Sequence, residues 1–112
     1  IELSDNREVI RRNIESVGMQ DKIFPIYGSS ASVPWDKMVD VVWLDSGHDK
    51  DTLSAELKKF CKFAKHLICG HDYGHIEFQD VKSVVDAYFG HIERARNSSI
   101  WYKWLKESEV VS

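Results

Sequence analysis

The sequence lacks most features that mark specialised proteins. No apolar run approaches the ~20 residues that a membrane span needs, and no basic region followed by an apolar stretch opens the chain. Neither a membrane span nor a signal peptide is predicted. Only two cysteines occur, Cys61 and Cys69, and they do not form a C-x-x-C pair. That excludes a disulfide scaffold and predicts two reduced, mostly buried thiols in a cytoplasmic protein. Basic runs are absent and the formal net charge is −3, which argues against a nucleic-acid partner. No two of the six glycines form a G-x-G, so there is no glycine-rich nucleotide loop. Neither H-E-x-x-H nor G-x-S-x-G is present, which removes the zinc-protease and nucleophile-elbow signatures.

What remains is an ordinary globular balance: 112 residues, 43% hydrophobic and 29% charged. Such a length holds one domain with a modest core. The first residue is Ile1, so the chain opens as though cut from something longer.

Apolar spacing then gives the elements. Ile1-Glu2-Leu3 reads as the end of a strand. Ser4 and Asp5 offer N-cap oxygens, Asp5 with Glu8 resembles a capping box, and Val9, Ile10, Asn13, Ile14 and Val17 share one helical face up to Gly18. Lys22 to Tyr27 reads as a strand, confined to a sheet edge by Pro25. Val39 to Asp45 carries the unbroken run Val41-Val42-Trp43-Leu44, the pattern of a central parallel strand covered on both faces. A helix follows from Thr52, with Leu53, Leu57, Phe60, Cys61 and Ala64 on one face. Leu67-Ile68-Cys69 is a second short strand. A third helix carries Val81, Val84, Val85, Tyr88, Phe89 and Ile92, with Asp80 as its N-cap. Ser98 to Leu105 alternates as a last strand, antiparallel or near an edge. Helices alternating with short apolar strands predict an α/β fold, a Rossmann-like open and mostly parallel sheet with helices on both faces.

In such sheets ligands bind beyond the carboxyl ends of the strands. Glu2, Asp45 and Asp72 stand at three of those ends, and Gly28-Ser29-Ser30 at a fourth. Asp45-Ser46-Gly47-His48 and Gly70-His71-Asp72-Tyr73 are the densest polar clusters. Their carboxylates and imidazoles suit a divalent cation such as magnesium or manganese, or else cap the following helices and hydrogen-bond locally. His66, His75 and His91 read as surface or loop residues.

These motifs, together with Ala55-Glu56-Leu57 and Val81-Lys82-Ser83-Val84-Val85-Asp86, resemble the class I S-adenosylmethionine-dependent methyltransferases. The nearest branch is the small-molecule and sugar O-methyltransferase group that includes cephalosporin-hydroxylase-like proteins. There a strand ends in Ile-Asp-x-x-His, and a Gly-His-Asp-Tyr turn precedes a Val-Lys-x-Ala-Val-Asp helix. The resemblance covers nearly the whole chain and corresponds to the carboxyl-terminal two-thirds of the family's domain. It implies S-adenosylmethionine as cofactor and a small-molecule methyl acceptor. Glu2 would bind the ribose hydroxyls, Ser29 would lie near the adenine, and Asp45 would sit beside the methyl donor. Asp45 and Asp72 would hold Mg2+ or another divalent cation. Asp45, His48 and His71 would be the catalytic residues, with an imidazole or the metal acting on the acceptor hydroxyl.

The family's first strand and its glycine-rich turn would precede Glu2. That strand sits mid-sheet in the family, so residues 1–112 form a single partial methyltransferase-like domain, and homodimerisation or strand exchange would fill the gap. Two alternatives stay open: a non-catalytic α/β interaction module, and a metal-dependent hydrolase using Asp45, His48, His71 and Asp72.

Overall fold

A computed structural model describes residues 3–45 and 49–105. Helix α1 spans Leu3–Ser16. It begins inside the segment read as a strand end, so Leu3 is helical, while Ile1 and Glu2 lie outside the described residues. Arg11 pairs with both Glu8 and Glu15, one turn away on either side, which supports an exposed helix. The helix ends as its sequence predicts. Gly18 takes a φ of +70°, Gly18 N–H donates to Glu15 O at 3.0 Å, and Met19 N–H donates to Ile14 O at 3.1 Å. That pair of bonds is the Schellman closure, and a side chain at a positive φ would strain it. The apolar face of α1 is not buried in the main core: Val9, Ile10 and Val17 remain exposed.

The strand expected over Lys22 to Tyr27 does not form. Pro25 has no N–H to donate, and no ladder in the described sheet includes these residues. The segment instead turns back beside α1, where the Arg7 guanidinium lies 4.9 Å from the centre of the Tyr27 ring.

The remaining elements are β1 Val39–Leu44, α2 Lys50–Phe60, β2 Ala64–Gly70, α3 Gln79–Phe89, β3 Glu93–Arg94 and β4 Trp101–Trp104. Single-turn 3-10 helices over Cys61–Phe63 and Ile76–Phe78 lead into β2 and α3. Asp49 caps α2, its carboxylate accepting from Thr52 N–H at 3.0 Å. Asp80, read as the cap of α3, lies inside its first turn instead, where a carboxylate favours the helix dipole.

The sheet runs β1-β2-β4-β3. Strands β1 and β2 are parallel, while β4 is antiparallel to both β2 and β3. The expected mostly parallel sheet is therefore corrected to a mixed open sheet with one parallel pair. The reason is the tight β3–β4 hairpin, which turns the chain straight back on itself, and β3 is too short to leave a periodic signal.

Helices on both faces are also corrected. Val42, Leu44, Ile68 and Trp101 join Leu53, Leu57, Val81, Val84 and Val85 in one core, so α2 and α3 cover the same face. Along β1 the burial alternates: Val42 and Leu44 are each 8% exposed, but Val41 is 52% and Trp43 48%. The unbroken apolar run is thus an edge strand of the described sheet with one covered face and one bare one. Gly70 fits only as glycine, because a Cβ there would lie 2.5 Å from Leu44 O and 2.6 Å from Trp101 Nε1. Its absent side chain lets the Trp101 indole close over the sheet. Both cysteines are free, Cys69 buried and Cys61 half-buried, and burial raises the pKa of each thiol. No helix among the described residues is long and apolar enough to cross a membrane.

Candidate functional site

The parallel β1–β2 register pairs Leu44 with Gly70, so both strands end at the same level. One further bond, from His71 N–H to Leu44 O at 3.3 Å, extends that alignment past the strand ends. Asp45 therefore emerges beside the His71-Asp72 turn. His71 Nδ1 lies 3.2 Å from Asp72 Oδ1 and 3.7 Å from Asp45 Oδ1. One ligand atom from each of the three residues falls within 4.8 Å of the other two.

The turn that presents them is held from several sides. Asp72 is only 7% exposed and has a φ of +65°, a left-handed conformation that few non-glycine residues adopt. Backbone of this kind persists where the surroundings impose it and clusters at functional sites. The surroundings here are specific. Tyr73 N–H donates to Ser99 O at 2.9 Å, and Tyr73 Oη donates to Asp86 Oδ1 at 2.7 Å. Lys82 Nζ holds the other oxygen of Asp86 at 2.7 Å. Ser99 Oγ meets His71 Nε2 at 3.1 Å, and the Trp43 ring stacks near the imidazole with centroids 6.4 Å apart.

Two carboxylates and an imidazole are donor types that a divalent cation accepts. Bonds of about 2.1 Å place the ligands of an octahedral ion no more than about 4.2 Å apart. The two separations from His71 Nδ1 meet that limit, and the third lies within 4.8 Å. An imidazole bound through Nδ1 would carry its proton on Nε2 and donate it to Ser99 Oγ, the orienting contact that ligating histidines ordinarily make.

Beside Asp45 a cleft of about 440 Å³ opens between Ser30, Val42, Trp43, Leu44, Glu56 and Phe60. Glu56 is buried, and Ser30 Oγ donates to its Oε2 at 2.5 Å. Lys59 Nζ donates to the carbonyls of Ser30, at 2.8 Å, and of Val33, which secures the turn to α2.

The structure thus brings Asp45, His71 and Asp72 together. Ser29 is exposed in the turn, its carbonyl accepting from Ser32 and Val33 N–H, and its neighbour Ser30 lines the cleft instead. Glu2 and His48 lie outside the described residues. His66 faces Asp40 on the exposed strand surface, His91 faces Glu93, and His75 Nδ1 accepts from Glu77 N–H. Sequence reasoning missed Ser99, named Ser30 only as part of the Gly28-Ser29-Ser30 strand end, and gave Glu56 no role. Only the Ser-Ser pair before the last strand hinted at Ser99, whereas Glu56 sits at an ordinary core-facing helix position. Comparison with protein-family models, with curated proteins and with solved structures finds no match to this chain.

Proposed function

We propose that this chain is a Rossmann-like, S-adenosylmethionine-dependent methyltransferase domain of the cytoplasm, acting on a hydroxyl of a small molecule with the help of a divalent cation. The single observation that supports this most is the convergence of Asp45, His71 and Asp72 at the carboxyl ends of two adjacent parallel strands. That is where open α/β sheets bind their ligands. The outer edge of β1 has no neighbour in the described sheet, and the family's mid-sheet strand would lie there.

In this reading Asp45, Asp72 and His71 Nδ1 hold the cation, and Ser99 fixes the imidazole ring. The bound cation would supply positive charge that lowers the acceptor hydroxyl's pKa. The methyl donor would lie at the carboxyl end of β1, beside Asp45, beyond the edge that the family's mid-sheet strand would cover. Asp45 belongs to both that strand end and the carboxylate cluster, so it would align donor and acceptor. Isothermal titration with S-adenosylmethionine, with and without magnesium, tests this. Binding is expected, and loss of binding in Asp45→Asn. Absence of binding under both conditions removes the reading, and turnover of phosphoesters or esters without any methyl donor replaces it with a hydrolase.

A second reading, an interaction module, is favoured by the bare sheet face, where Trp104 is 61% exposed alongside Val41 and Trp43. Its partner would be a second copy of this chain, paired along the open β1 edge. Light scattering checks it: a dimer supports that reading, and a stable monomer contradicts it.

A further inference from the structure

The β3–β4 hairpin carries a cationic feature that the cation site and the cleft beside Asp45 do not use. Arg94 ends β3, and its Nε donates to Ser98 O at 2.7 Å. The guanidinium also lies flat against Gly74: its carbon and both terminal nitrogens stand 3.6–3.7 Å from where a Cβ of that residue would be. One edge and one face of the group are therefore fixed. The N–H groups on Nη1 and Nη2 have no acceptor among the described residues. Arg96, two residues on, adds a second exposed positive charge, while the nearby acid Glu93 is engaged by His91 at 3.3 Å. In a chain of net charge −3 this is a local concentration of the opposite sign. Between Arg94 and Ser98 the surface forms a hollow of about 400 Å³.

The hairpin is also tied to the candidate site. Ser99 O accepts from Tyr73 N–H at 2.9 Å and Ser99 Oγ meets His71 Nε2 at 3.1 Å. Gly74, which supports the guanidinium, lies two residues beyond Asp72. A planar cation held on one edge offers two parallel N–H donors, the geometry that carboxylate and phosphate accept.

Resting on the methyltransferase reading above, we propose that Arg94, with Arg96 and Gly74, forms an oxyanion site that holds a carboxylate or phosphate group of the methyl acceptor. The acceptor is then an anionic hydroxy compound rather than a neutral one, and Arg94 selects it.

The test is an NMR titration of the 15N-labelled chain in metal-free buffer at constant ionic strength. Three probes are used: inorganic phosphate, acetate and glycerol. Saturable shifts are expected at Gly74, Asn97, Ser98 and Arg94 with phosphate or acetate, and none with glycerol. The stronger of the two anions names the acceptor's group. Arg94→Ala should weaken the anion about tenfold or more, and Arg94→Lys, which keeps the charge without the fork, should fall between. An unchanged amide spectrum elsewhere shows that each variant is folded, as expected at an exposed position. Shifts that never saturate, spread over all surface lysines and arginines, or persist unweakened in Arg94→Ala overturn the proposal. Asp45→Asn should leave the anion titration saturable. Failure of the oxyanion site is thereby distinguished from failure of the cation and methyl-donor reading.

Discussion

On one face of the sheet Val42, Leu44, Ile68 and Trp101 lie under α2 and α3; on the other, Val41, Trp43 and Trp104 point outward. The side chains are of the same kind, but their surroundings differ. Burial of a large apolar side chain contributes about 1.5–3 kcal/mol, so the helix-covered face supplies most of what holds the fold together. The bare face contributes elsewhere. Trp43 belongs to it and stacks near His71, so the candidate site opens at the border between covered and uncovered sheet.

That contrast can be broken most sharply with tryptophans on β4. Trp101→Ala should cost about 3–5 kcal/mol, because the indole is fully buried. That is comparable with the whole stability of a small domain. Trp104→Ala should cost within about 0.5–1 kcal/mol, as exposed positions do. Urea unfolding followed by circular dichroism reads both. Equal losses would mean that the second face is covered in solution after all.

A smaller effect is expected where the covered face meets the site. Tyr73→Phe removes the hydrogen bond to Asp86 and should cost about 1–2 kcal/mol. Burial raises the Asp86 pKa, but the hydrogen bonds from Lys82 and Tyr73 outweigh it and leave the carboxyl below its ordinary value. Its contribution to stability is therefore complete above the unfolded pKa of about 3.9 and is lost as pH falls through the lower folded value. Unfolding midpoints at pH 7 and pH 3 should differ less in Tyr73→Phe than in the parent. An equal difference would mean that the tyrosine does not hold Asp86 ionised.

Much of this was legible in the residues. Leu53, Leu57, Val81, Val84 and Val85 announced buried helix faces by their spacing, and Gly18 announced a stop. The strand ends Leu44-Asp45 and Gly70-His71-Asp72 are the polar segments that the β1–β2 register brings side by side. An apolar run, however, reports that both faces of a strand prefer cover, not whether cover is there, so Val41 and Trp43 misled. Pro25 restricted its segment to an edge, yet edge strands still need a neighbour. The two residues of β3 are too few for a pattern. Ser99 and Ser30 reach the site through tertiary packing, which sequence spacing does not encode.

The account stands on Asp45, His71 and Asp72 acting as one ligand set. Titration of the chain with Mn2+, followed by the electron paramagnetic resonance of the free ion, tests that most directly. One bound ion per chain is expected, weakened at least about tenfold by Asp72→Asn, by Asp45→Asn and by His71→Ala alike. Mn2+ that does not bind, or binds equally well to all three variants, would contradict it.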